Sequence, residues 1–153
     1  MRGRVFIAIV FGLLALAVFG QSPGPDDARK RKALLPEAFP DQEMSLYVEV
    51  PATDDALSDT PTWTFRGTSL ATRQIADFMA RGARSPTYLV VGGENDSVTC
   101  AAVAKALDTF KGQFLPLLHL ALIGNIQQAE QLRLAVEGLG AEYRVLPSPP
   151  HGN

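Results

Sequence analysis

The sequence predicts an α/β fold in which helices pack on one small mixed sheet. Three observations carry this prediction: short apolar runs suited to buried strands, longer segments with apolar residues at helical spacing, and short polar turns between them. The expected order of elements is ββαβαβαβ. Strands that alternate with helices need crossover connections, which are right-handed and make the later strands parallel.

Two strands open the predicted domain, over residues 45–50 and 62–65. In the first strand, Leu46, Val48 and Val50 alternate with polar or amphipathic residues, which is the pattern of a half-buried strand. An acidic loop separates the two strands, and a short turn leads from the second strand into the first helix.

Three helices and three further strands are predicted to complete the domain. Ser69 is a good N-cap for the first helix, over 70–81, and Gly82 lies where that helix should end. The apolar stripe of this helix comprises Leu70, Ile75, Phe78 and Met79. The remaining elements are strands over 88–91, 117–123 and 142–146, a helix from about residue 96 that Gly112 closes, and a helix over 125–137.

Trp63 and Phe65 are candidate interaction residues on the second strand. Because they are two positions apart, they share one face of that strand. We expect the two side chains to pack under the first helix, with exposure as a patch for a partner as the alternative. If Trp63 is buried, the substitution Trp63→Ala should lower the free energy of unfolding by about 3 to 5 kcal/mol. If the Trp63→Ala variant kept its melting temperature but no longer bound its partner, Trp63 would belong to an interface instead.

The first 20 residues are expected to be a membrane anchor or a signal peptide. Arg2 and Arg4 precede an almost unbroken apolar run from Val5 to Gly20, which matches the basic and apolar parts of an export signal. Small residues near its end permit cleavage, and the run is short for a span, which usually needs about 20 residues. Retention is favoured because residues 21–44, with prolines and mixed charges, are expected to act as a linker from the bilayer.

The domain itself is expected over 45–147, outside the cytoplasm, with a disordered tail over 148–153. The linker before it contains the basic run Arg29-Lys30-Arg31-Lys32. This run is expected to be solvated, and contact with anionic headgroups at about 1 kcal/mol per charge is the alternative.

The composition argues against a nucleic-acid partner. Removal of Arg2 and Arg4 with a signal leaves 12 basic residues against 16 acidic ones, a net charge of −4, whereas nucleic-acid binding needs a basic face. Cys100 is the single cysteine, so the fold has no internal disulfide. We expect Cys100 to be a buried small side chain on a helix, with a link between two chains as the alternative.

Glu94 and Asp96 lie in the glycine-containing loop between a strand and a helix, where α/β proteins often bind phosphate. Two carboxylates at this position argue against an anion, and the dinucleotide and Walker motifs are absent. The loop is therefore interpreted as a tight turn in which Asp96 or Ser97 caps the helix. The loop lacks the regular spacing of oxygen ligands that known calcium-binding loops have. Glu94 and Asp96 are kept as candidate interaction residues.

His119 falls inside a predicted strand, and we expect it to make an ordinary hydrogen bond. A zinc site needs three or four ligands, and a hydrolytic triad needs an activated nucleophile. Cys100 and His119 as nucleophile and base are an alternative that nothing local supports. No catalytic residue, cofactor or metal is predicted.

The arrangement from Met44 to Gly124 resembles the periplasmic domain of the ExbD/TolR family of biopolymer transport proteins. That family has a short cytoplasmic start, one membrane helix, a linker and a small ββαβαβ domain. The similar stretches are Leu46 to Val50, Trp63 to Leu70, Tyr88 to Val98, and Ala101 to Gly112 followed by Leu117 to Gly124. The resemblance implies a non-catalytic accessory protein of an envelope complex.

Two departures from that family limit what the resemblance implies. Members that use the proton-motive force have an aspartate in the membrane helix, whereas Val5 to Gly20 contains no ionisable residue. We therefore expect no role in proton flow. The chain also adds a helix and a strand over 125–146, which are expected to cover a sheet edge.

The sequence thus predicts an extracytoplasmic domain that binds a membrane or envelope protein, with a second copy of the chain as a further candidate partner. Membrane contact is expected through residues 5–20. The alternative is a secreted enzyme or small-ligand-binding protein that uses Glu94, Asp96 or His119 at the carboxyl ends of the strands. Convergence of these three side chains in one pocket would favour that alternative.

Overall fold

This computed structural model describes residues 25–52 and 69–150. Within these ranges, four strands form one fully parallel sheet in the order β1-β2-β3-β4, and helices pack on it. The predicted α/β class is confirmed, and the predicted strand over 62–65 lies outside the described residues. The strands are β1 (Leu46–Val50), β2 (Thr87–Gly93), β3 (Leu118–Gly124) and β4 (Glu142–Pro147).

The helices of the described ranges fall into two groups. Because each strand lies beside the previous one, the crossover helices α3 to α6 all cover the same face of the sheet, which we call the first face. Two short helices, α1 and α2, precede β1 and cover the other side, the second face. Their bounds are α1 (Pro25–Lys32), α2 (Leu35–Ala38), α3 (Leu70–Arg81), α4 (Asp96–Asp108), α5 (Ile126–Glu130) and α6 (Arg133–Glu137).

The main core lies between the first face and helices α3 to α6. Alternate residues of each strand point into it, as the period of two requires, and the two central strands are buried on both faces. Its largest fully buried side chains are Val48, Val50, Ile75, Met79, Leu89, Val91, Leu115, Leu118, Leu120 and Leu122.

The second face carries a smaller core, which differs from the predicted linker. Residues 25–39, within the predicted linker over 21–44, form helices, and Ala38 and Phe39 are buried on the sheet. They pack against Val90, Ala121 and Ile123. The apolar residues of this segment are few, but they pack on the apolar side chains of the second face. The described domain therefore begins near residue 25.

Helix α3 matches its predicted bounds, and Ser69 caps it by accepting a hydrogen bond from the Thr72 amide at 3.1 Å. The predicted stripe is wrong at Leu70, which is 82% exposed. Ala71 and Thr72 take the inward positions instead. The predicted cap of α4 is also wrong: Asn95, the residue before Asp96, accepts from the next two helical amides at 3.0 and 3.2 Å.

The predicted helix over 125–137 is two helices, α5 and α6. The hydroxyl of Tyr143 donates to the carbonyl of Ala129 at 2.7 Å, so this carbonyl has a partner outside the helix. Gln131 and Leu132 then form a turn before α6 begins. A side chain that occupies a helical carbonyl is a known cause of such a break.

Strand β4 belongs to the part of the chain beyond the resemblance, and it pairs with the edge of β3 as expected for an edge cover. On its outer side, Arg133 donates to the carbonyl of Tyr143 at 3.2 Å. Pro147 has no amide to offer. Both features reduce the hydrogen-bonding capacity of this sheet edge.

Part of the predicted disordered tail is attached to the domain. The Ser148 amide donates to the Gly124 carbonyl at 3.3 Å, and its hydroxyl donates to Asp96 at 2.9 Å. Residues 151–153 lie outside the described residues. Among the helices that the structure describes, none combines the length and the apolar character needed to cross a membrane.

Candidate functional site

Among the candidate residues that the structure describes, His119 does not come together with Glu94 and Asp96. Glu94 and Asp96 lie at the carboxyl end of β2, where Asp96 accepts the hydrogen bond from Ser148. His119 is the second residue of β3 and lies at the amino end of the sheet, on the second face. A separation of five strand residues between His119 and the Gly124 end amounts to roughly 16 Å. Trp63 and Phe65 lie outside the described residues, so their predicted role stays a prediction.

The Gly92-Gly93 pair serves packing on the two faces of β2. A Cβ at Gly92 would lie 3.1 Å from the Tyr47 hydroxyl and 3.3 Å from Cδ of Arg31, on the second face. A Cβ at Gly93 would lie 2.6 Å from the Val50 carbonyl oxygen, toward the first face. The two glycines therefore permit close approach of neighbouring elements.

A buried ion pair attaches α1 to the second face. The guanidinium of Arg31, whose side chain is only 3% exposed, donates to both carboxylate oxygens of Glu49, with Nε at 3.4 Å from Oε2. The Tyr47 hydroxyl donates to the same carboxylate. Burial raises the pKa of Tyr47, and its hydrogen bond to Glu49 raises it further. The basic run is therefore split, because Arg31 points inward while its neighbours are exposed.

A second polar cluster, the His119 cluster, attaches the end of α2 to the amino end of the sheet. His119 stacks on Tyr88 with 4.5 Å between ring centroids, and Phe39 meets Tyr88 edge-on at 5.2 Å. Nδ1 of His119 lies 2.6 Å from the Glu142 carboxylate. Arg144 donates to the same carboxylate at 3.3 Å and to the carbonyl of Ala38 at 3.1 Å, so β4 contacts the segment before β1.

The charges of this cluster favour an ionised carboxylate. The hydrogen bond with His119 lowers the pKa of Glu142, and the bond from Arg144 lowers it further. The expected hydrogen bond of His119 is thus present, and it has a structural role in holding Glu142 and Arg144.

Cys100 and His119 are not a nucleophile and base. Cys100 lies on α4 and packs against the main core, whereas His119 lies on the opposite face of the sheet. Burial raises the pKa of the Cys100 thiol, and the Asp96 carboxylate adds to that rise. Cys100 is therefore a half-buried thiol rather than a reactive thiolate.

A grooved surface surrounds the loop Pro40–Ser45, between α2 and β1. Three pockets of about 160, 290 and 270 Å³ adjoin this loop. The first and second share Pro40 and Gln42, and the second and third share Met44 and Ser45. Met44 is 84% exposed. We call the loop and its three pockets the loop surface.

The loop surface combines apolar, aromatic and charged groups. The His119 cluster lines its first pocket together with Asp41, and Arg81 and Pro86 line its third. No three acidic, histidine or cysteine side chains within the described ranges are grouped as a metal site. Exposed apolar residues and paired charges therefore lie side by side on the loop surface.

Comparison with known proteins gives no relative: no family model, curated protein or solved structure matches the chain.

Sequence reasoning missed both polar clusters and the loop surface. Arg31 and Glu49 are 18 residues apart, and His119 and Glu142 are 23 apart, so no local pattern joins them. One signal was present: Glu49 lies on the face of β1 opposite Val48 and Val50, and a charge on a strand between two covered faces requires a partner.

Proposed function

We propose that the chain is an extracytoplasmic domain, anchored by its N-terminal apolar segment, that binds a membrane or envelope protein and performs no catalysis of its own. Its resemblance to ExbD/TolR accessory domains is part of this proposal. The loop surface is the proposed contact region.

The winding of the sheet is the observation that carries the non-catalytic part of the proposal. Ligands of open α/β sheets bind where the strand order reverses and neighbouring helices diverge to opposite faces. The described strands follow the order β1-β2-β3-β4 without a reversal, and α3 to α6 share one face. The carboxyl edge is also occupied by the chain itself, through the bonds of Ser148 to Gly124 and Asp96.

The start of α1 at Pro25 supports contact close to a membrane. Five residue steps separate Gly20 from Pro25, which is at most about 18 Å of extended chain. Residues 25–39 belong to the domain, so they do not support retention as a spacer. The anchor is proposed instead from the basic start, the apolar run and this short connection.

Photocrosslinking from the loop surface tests the binding proposal. A photoreactive residue replaces Met44 in the full chain, and the control replaces Leu134 on α6, because these residues are 84% and 83% exposed. We expect a discrete adduct with a different envelope protein from position 44 and none from position 134. Equal adducts from both positions, or none from position 44, would contradict the proposal.

The mature N-terminus tests the anchor separately. Mass spectrometry of the purified protein should find residues 1–20 attached, and the protein should remain in the membrane fraction after an alkaline wash. A protein that begins between Ala15 and Ser22 and is soluble in the envelope would refute anchoring, while leaving the binding proposal to the crosslinking result.

A further inference from the structure

The three pockets of the loop surface adjoin one another in pairs. Loop residues are shared between the first and second pockets and between the second and third, and Tyr88 of β2 lines both the first and the third. Each pocket therefore borders the other two. A partner segment that covers the loop Pro40–Ser45 contacts all three.

Apolar side chains supply part of the walls of the second and third pockets. Met44 lines both, and it is 84% exposed. The other apolar or aromatic lining residues are Leu35, Pro36 and Pro40 in the second pocket and Leu46, Pro86 and Tyr88 in the third. Covering these groups removes apolar surface from water, which is the main source of affinity in an interface.

The loop itself carries negative charge. Asp41 lines the first pocket and Glu43 the second; both are exposed, and neither makes an ion pair within the described residues. Arg144 also lines the first pocket, but its guanidinium already donates to the Glu142 carboxylate and to the Ala38 carbonyl. The loop therefore presents two carboxylates in excess to the segment that covers it.

A cation of this chain lies at the third pocket. Arg81 lines that pocket, and its guanidinium carbon lies 5.0 Å from the centre of the Phe78 ring. A positive charge of the partner is repelled there and attracted at the loop carboxylates. The charges thus select which part of the loop surface receives a cation.

We propose that the segment bound at the loop surface is basic: a lysine or arginine side chain of the partner pairs with Asp41 and Glu43, and apolar side chains beside it enter the second and third pockets. The inference rests on the proposed function and deepens it, because it names the chemistry of the partner at the same surface. An acidic segment would place like charges against the loop, and a purely apolar segment would bury both carboxylates without a counterion.

Two short fluorescent peptides test this chemistry with the full chain in non-ionic detergent micelles. One peptide alternates lysine and leucine, and the other has glutamate in place of lysine. The test variant carries Asp41→Asn and Glu43→Gln, which remove the charges and keep the shapes. The matched control carries Asp77→Asn and Asp108→Asn, which remove the same charge from exposed positions on α3 and α4. Fluorescence anisotropy measures the dissociation constants against micelles without protein, and melting temperatures verify that each variant is folded.

The original chain and the control should bind the lysine peptide with dissociation constants within about twofold of each other, and the test variant should bind it about fivefold or more weakly. The glutamate peptide should bind to none of the three. Equal binding by the test variant and the control would show that the peptide follows overall charge, and it would overturn the inference. Preference of the original chain for the glutamate peptide, or no binding of the lysine peptide, would overturn it as well.

The same substitutions in the chain with a photoreactive residue at position 44 extend the test to the natural partner. The adduct should weaken in the test variant and persist in the control. An adduct of unchanged yield in the test variant would overturn the inference and leave the proposed function intact. The absence of any adduct from position 44 would contradict the proposed function, whereas the peptide result would still decide the chemistry of the surface.

Discussion

Gly92 and Gly93 are adjacent, yet the side chains they lack would enter different environments. At Gly92 the obstructing atoms are the ends of Tyr47 and Arg31, which can shift together with the Glu49 pair. At Gly93 the obstruction includes the backbone oxygen of Val50, which cannot shift without moving β1. The loss of stability caused by an added methyl group should therefore be much larger at Gly93 than at Gly92.

We expect Gly93→Ala to lower the free energy of unfolding by more than about 3 kcal/mol, and Gly92→Ala to lower it by about 1 to 2 kcal/mol. Urea unfolding of both variants measures the difference. Equal losses would show that β1 accommodates the added methyl group. A Gly92→Ala variant that lost more than Gly93→Ala would contradict the assigned contacts.

The second prediction at the residue scale concerns the buried guanidinium of Arg31. Arg31→Met keeps the length of the side chain but leaves Glu49 and Tyr47 without their cation. We expect a loss of about 2 kcal/mol, below the 3 to 5 kcal/mol of a fully buried pair, because the Glu49 side chain stays 26% exposed. Hydrogen exchange should show lost protection over residues 25–32.

Arg29→Met is the matched control for that experiment, since Arg29 is an exposed arginine on the same helix. It should leave both the stability and the exchange of α1 unchanged within about 0.5 kcal/mol. If the two variants behaved alike, α1 would not depend on the Arg31 pair.

At the scale of the elements, β4 is joined to the end of α2 through Glu142 and Arg144. Because the pKa of Glu142 in the folded chain lies below its ordinary value of 4.5, its ionised form stabilises the fold above that value. The contribution is lost as the pH falls through the folded-state pKa. This gives the bond with His119 a measurable pH dependence.

Glu142→Gln should therefore reduce the loss of stability on acidification. Unfolding free energies at about pH 6 and about pH 3 should differ less in this variant than in the original chain. The variant should be the less stable of the two at the higher pH, since its amide is a weaker partner for His119 and Arg144. An unchanged difference between the two pH values would remove Glu142 as the titrating group.

The regular elements of the first face could be predicted because their signals are local. The bounds of α3 and the core-facing residues of β1 follow from period and capping, and only the exposure of Leu70 departed from the stripe. Helix α1 could not be recognised as a packed element, because its sequence Pro-Asp-Asp-Ala-Arg-Lys-Arg-Lys is strongly polar. Its inward group is a charge, whose partner Glu49 lies on another element.

The candidate site was less predictable than the fold because it arises from contacts across the chain. Tyr88, His119 and Glu142 become neighbours only through the parallel register of three strands. The loop Pro40–Ser45 gains pockets on its sides because α2 and β1 fix its two ends. The sequence predicted a linker there, and the register of the strands around this loop depends on the whole sheet.

At the scale of the whole molecule, residues 25–39 are part of the folded domain and not a spacer. A truncated chain that begins at Ser45 should expose Val90, Ala121 and Ile123 and bind a hydrophobic dye. A chain that begins at Gln21 should unfold cooperatively and bind no dye, as measured by calorimetry and fluorescence. Equal stability of the two chains would restore the spacer interpretation.

The strand order β1-β2-β3-β4 also bears on how the chain acquires its fold. Each strand pairs with the one before it, so every new pairing closes only the connection between two consecutive strands, and none waits for a later segment of the chain. A chain that crosses a membrane with its N-terminal part first exposes these strands in the order in which they pair. For the export that we propose, we therefore expect the sheet to grow during translocation, with β4 as the last strand to join.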